Sequence, residues 1–236
     1  MEPRILFQQT LRSGAGDSGD PRFAFAASRF EEGERTVELL RRRFPDLLRE
    51  GSTVLDLGSG NGGMLFPFAP FWHAIALDTY ADADLRSFAG ASGLRVHQCL
   101  GVAQSLPFAS RSIDLVLLAE VLEHLSAPSV AGAEIMRVLK PGGVCLISTP
   151  PRLVFALRRD PHFGIRFLVA LPDLLQRLVV RLRFPGAPYD VHHIYATTWG
   201  IARQFPRGSF TMHVISHRSG WTRHLSWNYL ALQRRA

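Results

Sequence analysis

From residue 53 onward, short apolar runs alternate with longer segments whose apolar positions recur every three or four residues, the pattern of strands separated by helices. TVLDL (53–57) runs into the glycine-rich turn GSGNGG, after which a helix is expected, and HAIALD ends a second strand at Asp78. A third short strand is predicted around Leu94 to Cys99. The fourth, SIDLVLLAE, is a continuous apolar run of the kind a strand shows when helices cover both its faces. One helix is predicted from VLEHL through Val138, with Val121, Leu122, Leu125, Val130, Ile135 and Leu139 facing the core. LKPGG then turns into a fifth strand, VCLISTP. A helix near Thr198 to Phe205 and two closing strands, SFTMHVISHR and NYLALQRR, complete the set. The alternation predicts an α/β fold with a doubly wound, seven-stranded, mostly parallel sheet, whose ligands bind at the carboxyl ends of the strands.

The flanks read differently. SGAGDSGD (13–20) is small, polar and glycine-rich, so residues 1–30 are expected to form a flexible leader and 31–236 one domain. A helix is predicted from Glu31 to Arg49, divided by Pro45, with acids at its start and arginines behind, the polarity a helix dipole prefers. Residues 152–196 break the strand-helix rhythm and are rich in arginine, proline and aromatics. This stretch is expected to be a helical cap inserted over the site. Within it, PDLLQRLVVRLRF sets Leu174, Leu175, Leu178, Val179 and Leu182 opposite Arg177 and Arg181. Either a cap helix packed on the domain core or a helix resting on a membrane surface satisfies that pattern.

Composition adds limits rather than direction. A chain of 236 residues, 47% hydrophobic and 20% charged, has the apolar content for one full core and too much for disorder. The formal charge of +7 favours anionic partners only weakly, since general solubility explains it equally well. Cys99 and Cys145 both lie in apolar stretches, which fits buried, reduced thiols and a cytoplasmic location. Neither a signal peptide nor an apolar run of the roughly 20 residues that span a bilayer is read in the chain.

Candidate chemistry begins at LDLGSGNGG. Asp56 near the strand end precedes Gly58, Gly60, Gly62 and Gly63, where glycine permits positive φ and a close ligand approach. Asp78 ends the next strand, the position from which a carboxylate can accept both hydroxyls of a ribose. Gly58, Gly60 and Gly63 also satisfy GxGxxG, so the turn alone leaves a nicotinamide enzyme open. Context favours another reading, because about 50 residues precede the strand and the chain is short.

Four ordered segments, VLDLGSGNGG, ALDTYADA, GVAQSLPFASRSIDLVLLAEVLEHL and EIMRVLKPGGVCLISTP, resemble the class I S-adenosylmethionine-dependent methyltransferases of the small-molecule, quinone-biosynthesis-like type. The resemblance is close over roughly residues 50 to 150. It implies S-adenosylmethionine as cofactor, with Gly58, Ser59, Gly60 and Gly62 cradling its methionine part near Asp56. Asp78 would hold the ribose and Thr79 would lie beside the adenine. Ala103 and Gln104 match the family's adenine-edge pair, with alanine standing where an acid is usual. Glu120 would face the methyl donor.

Methyl transfer asks the protein to place the acceptor and, for a hydroxyl, to remove its proton. Glu120, His124 and His192 are the candidates for that work, with Glu123 and His193 beside them. Glu120, Glu123 and His124 at i, i+3 and i+4 are expected on one helical face, where a histidine from the insertion could complete a metal set. The metal requirement is open, because ExxEH resembles both metal-using and metal-free relatives. The expected acceptor is a small molecule taking the methyl on oxygen. Metal-assisted RNA or quinone O-methylation and non-catalytic cofactor binding are the alternatives. Nucleic acid is the less favoured partner, peripheral membrane contact is compatible with the insertion, and the oligomeric state is open.

Overall fold

In the computed structural model, Thr53–Leu57 (β1), His73–Asp78 (β2), Val96–Leu100 (β3), Ile113–Ala119 (β4), Leu139–Ser148 (β5), Phe210–Ile215 (β6) and Tyr229–Arg234 (β7) form one sheet. Their order is β3-β2-β1-β4-β5-β7-β6. The structure describes residues 21–156, 159, 163–186, 191, 193–215 and 229–235, with Ile5 and Gln9. β1 pairs in parallel with both β2 and β4, and β7 alone runs against its neighbours β5 and β6. The order reverses between β1 and β4, so the switch point of the sheet opens at the carboxyl ends of those two strands. The doubly wound, seven-stranded, mostly parallel sheet expected from the apolar pattern is the one observed.

Alternate residues of the central strands feed two cores. Val54, Leu115, Leu117, Val144 and Leu146 pack on one face, and Leu55, Leu57, Val116, Leu118, Cys145 and Ile147 on the other. That is the period of two that a strand imposes on its side chains. The first face is covered by the helices Pro21–Arg43 (α1) and Ala83–Ser92 (α2), the second by Pro128–Val138 (α3) and Thr198–Ala202 (α6). Between α3 and α6 lie the insertion helices Arg152–Phe155 (α4) and Asp173–Arg183 (α5). No described helix is long and apolar enough to cross a membrane.

Four local expectations need correction, each for a physical reason. α1 starts at Pro21, ten residues before the domain was expected to begin. Ala26, Phe30, Val37 and Leu40 are buried in the core at spacings of four, seven and three. Burying a large side chain such as Phe30 stabilises by about 1.5–3 kcal/mol, so the helix is held to the domain from Ala26 onward. The helix also ends earlier than predicted, at Arg43, because a residue that precedes proline is pushed out of the α region and Pro45 follows. Second, residues 61–72 form consecutive turns rather than a helix: Pro67 and Pro70 have no N–H to donate, and short bonds such as Leu65 N–H to Gly62 O (2.9 Å) replace a ladder.

Third, the helix predicted from VLEHL through Val138 is two elements. Leu122–His124 is a single 3-10 turn, and α3 begins afresh at Pro128, whose fixed φ suits the first helical position. Fourth, α5 buries Gln176 and Val180, not its leucines. Leu174 and Leu182 are 78% and 72% exposed.

Candidate active site

The glycine turn is fixed from both sides. Gly58 and Ser59 donate their N–H groups to Leu77 O of β2 (2.8 and 3.2 Å), and Gly62 N–H returns to Ser59 O (2.9 Å). Gly58 has φ +78°, and a Cβ built on it would lie 2.4 Å from Cγ2 of Val121. Glycine is therefore needed here by backbone conformation and by packing under the first residues after β4. Gly60, at φ +49°, is the position with open space: a Cβ would meet only the Tyr80 hydroxyl, 3.8 Å away.

Asp78 at the end of β2 organises the turn opposite. Its Oδ2 accepts from Gly60 N–H at 2.9 Å, and its Oδ1 accepts from Thr79 N–H at 2.6 Å and from the Thr79 hydroxyl at 3.3 Å. Carboxylate oxygens have further lone pairs, so the residue can still accept from hydroxyls brought alongside. Beyond β3, Gly101 N–H bonds to Asp78 O (3.0 Å) and carries Ala103 and Gln104 toward the same corner. Ala103 is buried and Gln104 half-buried. Their loop is anchored by Glu134, which accepts from Leu106 N–H at 2.8 Å, and by Arg137, which donates to Leu106 O and Phe108 O. Arg137 and that backbone donor hold the Glu134 carboxyl down at about 2.

The carboxyl ends of β1, β4 and β5 collect polar groups that nothing in the protein satisfies. Among the described residues, the buried side-chain atoms without a hydrogen-bond partner are Asp56 Oδ2, both Glu123 carboxyl oxygens, Ser148 Oγ, Thr149 Oγ1 and Tyr195 Oη. Each such atom costs about 1–3 kcal/mol, so their gathering at one sheet edge is the mark of a ligand site rather than of a core. Burial raises Asp56 to about 7, opposed by nearby Arg29 and assisted by Asp78. Glu123 is 1% exposed and is raised to about 8, first by desolvation and then by the charge of Glu120. Glu120 has φ +57° and is exposed in part, yet desolvation of its carboxyl shifts it upward, opposed by the nearby charge of Arg29.

Beside Glu123 lies a cavity of about 10 Å3, lined by Thr149, Phe155, Val169, Val191 and His193 among others. That volume admits about one water, so a larger guest requires the insertion to move. The insertion is pinned where it returns: His193 N–H donates to Glu123 O (3.0 Å) and Arg152 N–H to Tyr195 O (2.9 Å). A concavity of about 690 Å3 lies elsewhere. It is lined by Ser52, Asp114, Lys140 and Gly142 at the opposite ends of the strands, and none of the turn or carboxyl groups above reaches it.

Residues 55–147 match the family model described as a methyltransferase domain. A Mycolicibacterium smegmatis protein named a probable S-adenosylmethionine-dependent methyltransferase is 32% identical over 154 residues, covering 60% of this chain and 60% of that one. A tRNA U34 carboxymethyltransferase of Desulfotalea psychrophila is 31% identical over 141 residues, covering 56% of this chain but 43% of its own. The matches thus span less than two thirds of these relatives' length. The crystal structure of the YcgJ protein from Bacillus subtilis shares the fold at a TM-score of 0.56 and 20% identity, over 89% of this chain and 99% of that one. Over residues 55–147 this chain carries a methyltransferase domain, and its relatives imply S-adenosylmethionine as the cofactor.

The cofactor residues expected from the sequence, Asp56, Gly58, Ser59, Gly60, Gly62, Asp78, Thr79, Ala103 and Gln104, all lie around the turn and the ends of β1 to β3. They fit the group: Gly60 leaves room at the backbone, Asp78 has acceptor capacity, and Asp56 Oδ2 lacks a partner that a cationic ligand can supply. Glu120, Glu123 and His124 do not lie on one α-helix as predicted: Glu120 precedes the 3-10 turn with a positive φ, and Glu123 and His124 lie within that turn, with the Glu120 carboxyl still close enough to act on Glu123. Among the described residues, no three His, Cys, Asp or Glu side chains come together as metal ligands. His192 lies outside the described residues.

Four site residues went unread in the sequence. Arg29 on α1 reaches toward Ala119 O (3.5 Å) and is held by Glu32 (2.7 Å), and it bears on both Asp56 and Glu120. Its signal was the spacing of Ala26, Phe30, Val37 and Leu40, which continues the helix back through it. Tyr80 borders Gly60 directly after Thr79, whereas Thr149 and Tyr195 carry no motif and were legible only from the fold.

Proposed function

We propose that this protein transfers the methyl group of S-adenosylmethionine to an oxygen of a small-molecule acceptor, with Glu123 receiving the acceptor's proton. The observation behind it is the group of unpartnered buried atoms around Glu123, Thr149 and Tyr195, beside the Asp56 and Asp78 corner. The turn Gly58–Gly62 and Asp56 hold the cofactor's methionine part in this reading, and Asp78, Thr79, Ala103 and Gln104 hold its ribose and adenine. When bound, the cofactor supplies a methyl carbon activated by its sulfonium. Thr149 and Tyr195 hydroxyls orient an acceptor hydroxyl, and the Glu123 carboxylate takes its proton as the oxygen gains the methyl carbon. Glu120 raises the proton affinity of Glu123 by its charge, while His124 and His192 are held in reserve as alternative bases. The insertion excludes water once an acceptor is in place.

Glu123→Gln tests the assignment. Transfer of labelled methyl to a panel of phenols and sugar alcohols is expected to rise with pH through about 8 in the parent, because a base with that pKa must lose its proton first. In the variant kcat should fall at least about 100-fold and lose this rise, with cofactor affinity unchanged. A stability measurement checks the same group without any acceptor. The carboxyl's pKa stands at about 8 against its ordinary 4.5, so folding takes up a proton and parent stability falls as pH rises from 4.5 to about 8. The glutamine variant should lose that slope. Unchanged pH profiles in both measurements would remove Glu123 from the mechanism.

A second reading, an RNA acceptor, draws on the formal charge of +7 and the tRNA-modifying relative. It predicts RNA affinity that falls steeply with salt, and transfer to RNA rather than to the small-molecule panel.

A further inference from the structure

α5 is turned inside out relative to an ordinary surface helix. Gln176 and Val180, one turn apart, face the domain and are fully buried. Gln176 Nε2 donates to Leu171 O at 2.8 Å, which anchors the start of the helix to the preceding loop. Leu174, Leu175, Leu178 and Leu182 fall on the opposite side and are all exposed. An isolated exposed leucine is unremarkable, but four on one stripe of an 11-residue helix are a built face. Arg177 and Arg181, spaced four apart, run along one border of that stripe, and Arg183 closes the last turn. Asp173, in the first turn, is the helix's one acidic residue.

We infer that this face docks on an anionic lipid bilayer, with the four leucines entering the interface and the arginines meeting lipid phosphates. An apolar stripe bordered by arginines on a short helix is the arrangement that lies flat in a headgroup layer. Charge complementarity selects that occupant. A second copy of the chain on the same face sets arginine against arginine. The helix is also only about 16 Å long, too short for the roughly 800 Å2 that each partner of a stable dimer buries. α5 packs on the 3-10 turn Leu168–Ala170, whose Val169 lines the cavity beside Glu123. Docking therefore brings the movable wall of that cavity close to the lipid. The inference concerns the surface alone and stands whether or not the methyl acceptor is the one proposed above.

Co-sedimentation of the full chain with vesicles tests it, using phosphatidylcholine with one quarter phosphatidylglycerol, and phosphatidylcholine alone. The chain is expected to sediment with the anionic vesicles at 50 mM salt and to be released at 500 mM, where screening shortens the reach of the arginines. Arg177→Gln with Arg181→Gln should lower the partition about 25-fold, about fivefold for each charge. Leu174→Gln, Leu178→Gln and Leu182→Gln together should abolish it. Both variants should keep the parent's heat of S-adenosylhomocysteine binding, which shows that the domain is folded. Absence of sedimentation at low salt, or equal binding to the uncharged vesicles, overturns the inference. A lipid-free dimer that the leucine substitutions dissociate overturns it too, by making the face an interface between copies.

Discussion

The glycine turn at 58–63 and the helix at 173–183 are both short, both at the carboxyl edge of the fold's chemistry, and opposite in how they carry function. In the turn, backbone does it: φ values that only glycine adopts freely, N–H groups tied to Leu77 and Asp78, and one uncovered position at Gly60. Side chains matter there mainly by being absent. In α5 the backbone is an ordinary helix, and everything depends on which face is turned outward. A function written in backbone conformation leaves a residue-type signature in the sequence. One written in the orientation of a face leaves a pattern whose direction the sequence does not reveal.

The largest effect should come from the Asp78 carboxylate, which ties the glycine turn to the end of β2. Asp78→Ala removes the carboxylate proposed above to accept two ribose hydroxyls and also frees the Gly60 and Thr79 N–H groups. At about 1.5–3 kcal/mol for each charge-assisted bond, the loss amounts to about 100-fold or more in S-adenosylhomocysteine affinity. Titration calorimetry reads it directly. An affinity within about threefold of the parent's would mean that the turn, not Asp78, supplies the binding, and that the ribose lies elsewhere.

Next in size is a contrast between two glycines that share a conformation. Gly58 and Gly142 have φ of +78° and +80°, but a Cβ on Gly58 runs into Val121 at 2.4 Å whereas one on Gly142 meets nothing within 4 Å. Gly142→Ala should cost about 1 kcal/mol for the left-handed backbone alone. Gly58→Ala adds the overpacking term and should cost about 3 kcal/mol. Urea unfolding of the two variants separates conformation from packing. Equal losses would show that Val121 yields, and that Gly58 is there for its φ only.

Legibility followed the same division. The sheet, the turn and Asp78 were readable because parallel strands need continuous apolar runs and a strand-to-turn junction needs glycine. The helix expected after the turn was misread because Pro67 and Pro70 outweigh the apolar content of MLFPFAPFW. ExxEH was misplaced because spacing was read as helix geometry across Glu120, whose positive φ no residue pattern announces. Arg29 has a different reason: the glycine-rich stretch 13–20 lies just before the apolar spacing that begins at Ala26, and an arginine within that spacing has the pattern of any solvated helix position. Thr149 and Tyr195 meet Glu123 only because β5 and the returning insertion converge there, a long-range fact with no local trace.

The smallest expected effect is the one that decides whether α5 is read correctly. Val180 is 1% exposed and Leu182, two residues on, is 72% exposed, although both are strongly apolar. Truncating a buried valine leaves a cavity, so Val180→Ala should cost about 1–2 kcal/mol in urea unfolding. Leu182→Gln removes apolar surface that is already in water and should stay within about 0.5 kcal/mol of the parent. If the helix instead lay leucine face down, the order would invert, because a buried glutamine without a partner costs about 1–3 kcal/mol whereas a valine truncated in water costs little. The near-zero result at Leu182 therefore carries more information than the larger one at Val180: a stripe of leucines that contributes nothing to folding is free to contribute to something outside the fold.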